Sequence, residues 1–82
     1  MKRVFDKNDK LLNIGDVVRF YDNGIQKVGK ISHIRRQYEK YQTYDNLYIG
    51  ALKDYQFGFW ESSFMVEKLT DAEAMLIMLE NV

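Results

Sequence analysis

The sequence predicts a small, mostly β domain of five strands followed by one C-terminal helix, and three features support this. Asn23-Gly24 favours positive φ at both central residues of a turn, the geometry that joins antiparallel strands tightly. Residues 17–21, just before this turn, alternate β-branched and aromatic side chains as a half-buried strand does. Near the other end, Thr70-Asp71-Ala72-Glu73 matches the capping box that begins a helix.

Four further strands follow from β-branched and aromatic runs bounded by turn residues, with the break before the last strand at residues 61–63. They are expected at residues 25–34, 47–52, 55–60 and 64–69. In the first of these, Val28, Ile31 and Ile34 recur every three residues, so Gly29 predicts a bulge or sharp bend. Gly58 is expected where another backbone approaches closely.

Residues 35–46 are polar and rich in tyrosine, without clean alternation, and are interpreted as a long hairpin connection. The C-terminal helix should span about residues 71–80, after a barrel over about residues 12–69. Because so short a helix does not persist alone in water, it must dock on something. The favoured interpretation is a plug over an open end of the barrel. The alternative is an apolar surface for a partner protein or a second copy.

Size and composition indicate one domain that is held together by packing. The 82 residues are 46% hydrophobic and include no cysteine, so no disulfide framework or thiolate metal site is available. The first six residues lack the apolar run of a signal peptide, and the longest apolar run, residues 74–79, is far short of a membrane span. A cytoplasmic location is therefore expected.

The net charge is zero, but the charges are unevenly distributed. Residues 1–40 carry ten bases and five acids, whereas residues 41–82 carry two bases and seven acids. Such asymmetry can indicate a basic face for an anionic partner. The favoured interpretation is that the two halves pack together and their charges interleave, since the first and last strands of a small barrel are neighbours.

No pattern indicates catalysis, and no cofactor or metal site is predicted. The only histidine is His33, and Ser62 and Ser63 lie outside any nucleophile-elbow motif. The sequence contains neither a glycine-rich phosphate loop nor acidic residues at calcium-ligand spacing. A non-enzymatic protein is the expectation.

Binding is therefore the expected function, and two classes of partner remain. Aromatic residues such as Tyr21, Tyr48 and Phe59 exceed what a small core needs, as do Tyr55 and Phe57, which favours a protein or peptide partner. The alternative is RNA or single-stranded DNA, which would bind through cations and stacking rings in residues 35–46. The candidate partner-binding residues are Arg35, Arg36, Tyr38, Lys40, Tyr41, Tyr44 and Trp60.

Two resemblances add to this interpretation. The Gly15-Asp16-Val17-Val18 opening, the hairpin glycine Gly24 and Gly29-Lys30-Ile31 resemble SH3-like small barrels of the Tudor and KOW type. This implies a five-stranded SH3-like barrel over most of the chain. Residues 6–20, with Asp-Lys-Asn-x-Lys before Gly-Asp-Val-Val-Arg-Phe, are similar to YopX-type proteins. That resemblance implies a small accessory protein of a phage or mobile element.

Overall fold

The structure is a computed structural model that describes residues 3–51 and 58–80. These residues are mostly β, with one C-terminal helix. The strands are β1 (Val4–Phe5), β2 (Leu11–Leu12), β3 (Val17–Asp22), β4 (Ile25–Tyr38), β5 (Thr43–Ala51), β6 (Gly58–Ser62) and β7 (Glu67–Lys68). A 3-10 turn spans Ser63–Met65, and the helix, α1, spans Asp71–Glu80.

Strands β3 to β7 form one antiparallel sheet in the order β6-β5-β4-β3-β7. The pairing of β3 with β7 makes the first and last strands of this sheet neighbours, as the sequence predicts. Over the described residues the sheet is not closed, so β6 and β7 are its two edges. A separate hairpin of β1 and β2, which the sequence does not predict, pairs Val4 with Leu12.

The predicted turn between β3 and β4 is confirmed. Asn23 has φ 51° and Gly24 has φ 78°, so both central residues lie in the left-handed region that a two-residue hairpin turn requires. The register continues on both sides, from Asp22 opposite Ile25 to Val17 opposite Lys30.

Residues 35–46 are not a loop, which corrects the sequence-based interpretation. β4 continues to Tyr38 and β5 begins at Thr43, with Arg35 opposite Asn46 and Arg36 opposite Asp45. Four residues, 39–42, connect the strands, closed by a hydrogen bond from the Glu39 N–H to the Gln42 carbonyl. The alternation is hidden in the sequence because both faces of this hairpin carry polar and aromatic side chains.

Two glycine predictions need adjustment. The register shift of β4 lies between Ile31 and His33 rather than at Gly29. Gly29 is instead buried where a Cβ atom would meet the Gly50 carbonyl oxygen at 2.5 Å. Gly58 does lie under a close neighbour, but that neighbour is the side chain of Tyr48 and not another backbone.

Within the predicted strand over residues 64–69, Phe64 and Met65 end a 3-10 turn, and only Glu67–Lys68 pairs as a strand. The predicted strand over residues 47–52 is confirmed as far as Ala51, which ends β5. Residues 52–57, which include the expected turn at 53–54 and the start of the fourth strand, lie outside the described residues.

The core lies on one side of the sheet and includes the N-terminal hairpin. Its buried apolar side chains come from β1 to β5 and from the segment around β7, and Ile34 and Phe59 pack against it. The buried apolar residues are Val4, Leu12, Val18, Phe20, Ile31, Leu47, Ile49, Val66 and Leu69. We call the opposite side of the sheet the outer face.

The helix α1 begins at the predicted capping box but is not a plug. The Glu73 N–H donates to Thr70 Oγ1 at 3.1 Å, and the Thr70 N–H donates to Glu73 Oε1 at 3.0 Å. No residue of α1 is fully buried, and only Glu73, Ala74 and Ile77 are half-buried, so the helix does not close an open end of the sheet. The described residues contain no helix that is long and apolar enough to cross a membrane.

Candidate partner-binding surfaces

A row of aromatic side chains crosses three strands on the outer face. His33 of β4 lies opposite Tyr48 of β5, and Tyr48 lies opposite Trp60 of β6. Directly opposed residues project to the same side of an antiparallel sheet, so the three rings stand side by side. Ile31 and Ile49 pair with each other on the far side of the register shift at Ser32, and both are buried in the core instead.

These rings are in contact, and a cation covers one of them. The Tyr48 and Trp60 ring centroids are 5.0 Å apart, and those of His33 and Tyr48 are 5.9 Å apart, both in edge-to-face arrangements. Arg35 Cζ lies 4.7 Å from the Trp60 ring centroid, within the range of a cation–π contact. We call His33, Arg35, Tyr48 and Trp60 the aromatic surface.

The aromatic surface depends on a glycine. A Cβ atom at Gly58 would overlap Tyr48 Oη and Cζ, so only glycine lets the tyrosine ring lie across β6. Trp60 remains 46% exposed in this arrangement, and its ring is accessible to a partner. The local backbone therefore fixes the position of Tyr48 without burying Trp60.

The aromatic surface is also positively charged. Arg35, and Lys30 nearer the other end of β4, form no ion pair with any carboxylate of the described residues. Elsewhere the charges interleave as expected, because bases and acids of the two chain halves pair. Arg19 contacts Glu67 at 3.1 Å, and Lys68 contacts Asp16 at 3.3 Å.

The structure brings together only some of the predicted partner-binding residues. Arg35 and Trp60 lie in the aromatic surface, and Tyr44 lies further along the same face, with its ring edge-to-face against Phe64 at 6.4 Å. The Tyr44 hydroxyl donates to Glu39 Oε1 at 3.0 Å, and this hydrogen bond raises the pKa of Tyr44. Tyr44 is therefore held by its neighbours.

The remaining predicted residues lie elsewhere. Arg36 is on the opposite side of the hairpin, where its Nη2 lies 3.2 Å from Asp45 Oδ1. Tyr38, Lys40 and Tyr41 lie at the hairpin tip, where Tyr41 is 88% exposed. His33 and Tyr48 were absent from the predicted set, and only the correct strand register could have placed them beside Trp60.

The Arg36–Asp45 pair borders a cavity of about 410 Å³ between the N-terminal hairpin and the β4–β5 hairpin. Its walls are mainly apolar. The lining residues are Val4, Leu12, Asn13, Ile14, Ile34, Arg36 and Asp45. Arg36 and Asp45, the base and the acid that line this cavity, pair with each other. The cavity therefore has no net charge that would favour a charged ligand.

The Ser32 hydroxyl contacts the His33 imidazole, with Ser32 Oγ 3.0 Å from His33 Nδ1. The same Ser32 hydroxyl donates to the Tyr48 carbonyl oxygen at 3.1 Å. A hydroxyl has one proton to donate, so in this geometry His33 does not accept it. Among residues 3–51 and 58–80, no three His, Cys, Asp or Glu side chains are grouped as metal ligands.

The second candidate surface is α1 itself. Its apolar side chains point around the whole helix, and four of them are between 43% and 67% exposed. These four are Met75, Leu76, Met78 and Leu79. Three acids, Asp71, Glu73 and Glu80, and no base lie on α1, so its apolar surface is bordered by negative charge only.

No family model, no curated protein and no solved structure matches this chain.

Proposed function

We propose that this chain is a small, non-enzymatic accessory protein that binds a protein partner through α1. The observation that carries the proposal is the exposure of an apolar helix that buries none of its ten residues. Isolated helices shorter than roughly 12–15 residues are marginal in water, so packing must supply most of the stability of α1. Within its own chain only Glu73, Ala74 and Ile77 of α1 are half-buried, so most of the apolar surface of the helix is left for a second protein surface to cover.

The free energy that burial of α1 against a partner would contribute is large for so short a helix. Burial of one leucine or methionine side chain contributes about 1.5–3 kcal/mol. Leu76 and Leu79 are 60% and 67% exposed, and Met75 is 62% exposed, so much of this contribution is still available to a complex. An amphipathic or apolar helix lying in a groove is a common mode of peptide recognition.

The charge of α1 indicates the chemistry of its partner. Since α1 carries Asp71, Glu73 and Glu80 and no base, an apolar surface bordered by Lys or Arg is complementary to it. Direct pairing of α1 with another α1 would bring acids together, which is unfavourable. The expected partner surface is therefore apolar or aromatic and positively charged.

Photo-crosslinking tests this proposal directly. A photo-reactive amino acid in place of Leu79 should crosslink to a specific protein in nuclease-treated lysate of the cells that encode this chain. The same amino acid in place of Tyr41, which is also exposed but lies at the tip of the β4–β5 hairpin and not on α1, is the control. Adding Leu76→Ser should abolish the Leu79 crosslink, and equal crosslinking at both positions would contradict the proposal.

We also propose the finer fold class and origin. Five antiparallel strands in the order β6-β5-β4-β3-β7, with a 3-10 turn before the last, support an SH3-like barrel. The resemblance of residues 6–20 to YopX-type proteins supports an origin in a phage or mobile element. The absence of cysteine from the sequence suits a reducing cytoplasm.

A second candidate function is binding of RNA or single-stranded DNA, and one observation favours it. Arg35 lies over Trp60 without a carboxylate partner among the described residues, beside Tyr48 and His33. Unpaired bases stack on aromatic rings and on guanidinium groups, and cations attract the phosphates. The aromatic surface, and not the hairpin tip, is the proposed contact.

A further inference from the structure

We infer that the aromatic surface of a second copy of this chain is a docking site for α1, so that two chains exchange their helices reciprocally. This inference rests on the proposed function, in which α1 binds a protein surface, and it names that surface. The aromatic surface has the two properties expected of a partner of α1, which are apolar or aromatic contact and positive charge. Its rings offer apolar contact, and Arg35 and Lys30 are cations without a described carboxylate partner.

The two surfaces are complementary in chemistry. Met75 and Met78 of α1 are 62% and 43% exposed, and methionine sulfur makes favourable contacts with aromatic rings. Asp71 and Glu80 of α1, which form no ion pair among the described residues, would meet Lys30 and Arg35, in keeping with the opposite net charges of the chain halves. The contact therefore pairs apolar with aromatic groups and negative with positive groups.

The helix does not reach this surface within its own chain. α1 follows β7, and Trp60 lies on β6, at the opposite edge of the sheet. In this chain Met75, Leu76 and Leu79 stay at least 60% exposed, so α1 does not lie against the rings of its own sheet. The first turn is also held at β3, because Glu73 Oε2 lies 3.8 Å from Arg19 Nη2. The contact proposed here is therefore between α1 of one chain and the aromatic surface of another.

Reciprocal exchange gives a closed dimer. Each chain offers one helix and one aromatic surface, so a two-fold axis satisfies both helices and leaves no free site for a third chain. One-way docking would instead propagate into open assemblies. The expected product is a dimer whose stability falls with salt, because screening weakens the attraction between acids and cations.

Native mass spectrometry and sedimentation of the full chain test this inference by complementation. Leu79→Ser damages the helix, and Trp60→Ala damages the aromatic surface. Each variant alone should be monomeric at concentrations where the parent is dimeric, with dimer affinity reduced about tenfold or more. Tyr41→Ala, an exposed aromatic residue outside both surfaces, should dimerise like the parent.

A mixture of the Leu79→Ser and Trp60→Ala chains should form a heterodimer that neither forms alone, since it contains one intact helix docked on one intact surface. Circular dichroism checks that both variants keep the parent fold. A monomeric parent would overturn the inference, as would a Trp60→Ala chain that dimerises normally through its helices. In either case crosslinking from position 79 to a different protein would leave the proposed function standing.

Discussion

Asp6 accepts a hydrogen bond at 2.7 Å from the backbone N–H of Lys68, which lies 62 residues later in the chain. The other carboxylate oxygen of Asp6 accepts from the N–H groups of Asn8 and Lys10, both at 2.8 Å. Asp6 is only 4% exposed, so one buried carboxylate joins the turn of the N-terminal hairpin to the last strand of the sheet.

Asp6→Asn should therefore destabilise the fold by about 2 kcal/mol near neutral pH. An amide group has one oxygen acceptor, so either Lys68 or the pair Asn8 and Lys10 would face an N–H group and leave buried donors unpaired. Chemical denaturation measures the change. Asp9→Asn, an exposed substitution in the same turn, is the control and should leave the midpoint unchanged.

The pH dependence of this effect has a definite sign. Burial by itself raises the pKa of Asp6, but the three backbone N–H donors outweigh it, and the pKa lies below its usual 3.8. A lowered folded-state pKa contributes stability above the unfolded value, and this contribution is lost as pH falls through the folded value. The parent and Asp6→Asn should thus converge in acid, and a gap that stays constant down to strong acid would contradict the assignment.

The turn at Gly24 makes a second prediction. Gly24 has φ 78°, and a Cβ atom there would meet nothing within 4 Å, so substitution is penalised by backbone strain alone. Gly24→Ala should lower the free energy of unfolding by about 1–2 kcal/mol. Gly50→Ala is the matched control, since Gly50 also has open space but no positive φ. Equal midpoints for the two variants in urea would show that the turn is assigned wrongly.

Gly58→Ala should alter the aromatic surface itself. The added methyl group would overlap the Tyr48 ring and displace it from its edge-to-face contact with Trp60. The sequence contains a single tryptophan, so the fluorescence of Trp60 reports this change alone. Gly50→Ala, on the residue directly opposite Gly58, controls for a substitution in the same strand pair. An unchanged Trp60 spectrum in Gly58→Ala would contradict the described packing.

The capping box predicts a local effect rather than a global one. Thr70→Ala removes the hydroxyl that caps the Glu73 N–H, which weakens a helix by about 1 kcal/mol. Because α1 buries no residue fully, its loss in the monomeric chain should reduce the helical signal in circular dichroism without moving the unfolding transition of the sheet. The measurement is made at concentrations low enough to keep the chain monomeric, where a lower midpoint for the sheet would show that α1 packs on its own chain.

The features that the sequence predicts correctly depend on neighbouring residues. The turn at Asn23-Gly24 and the capping box of Thr70 with Glu73 each involve groups within three residues of each other. Local backbone preferences determine such features, so pattern and spacing are sufficient to find them. The same reasoning located α1 at Asp71–Glu80.

The features that the sequence did not predict depend on cross-strand pairing. Arg36 and Asp45 stabilise a hairpin that has no hydrophobic alternation to indicate it. Trp60 acquires its neighbours His33 and Tyr48 only through the register of three strands, which shifts by one residue after Ile31. A one-residue change of register moves a side chain to the other face of a sheet. The composition of the aromatic surface was therefore not accessible from the sequence.

The arrangement of Arg35 and Arg36 provides a test of nucleic-acid binding with an internal control. Arg35 lies on Trp60 in the aromatic surface, whereas Arg36 is on the opposite side and paired with Asp45. If the aromatic surface binds single-stranded RNA or DNA, Arg35→Ala should weaken binding and flatten its salt dependence, because one phosphate contact and its counterion release are lost. Arg36→Ala should change neither quantity.

Trp60→Ala should weaken the same binding by roughly 1–3 kcal/mol while leaving the salt slope nearly unchanged, because stacking does not depend on counterion release. Fluorescence anisotropy with labelled homopolymer oligonucleotides at several salt concentrations measures both quantities. Equal losses from Arg35→Ala and Arg36→Ala would indicate a diffuse electrostatic contact rather than a defined surface. If the parent shows no salt-dependent binding at low ionic strength, the nucleic-acid alternative is wrong, and the exposed rings are left to a protein partner.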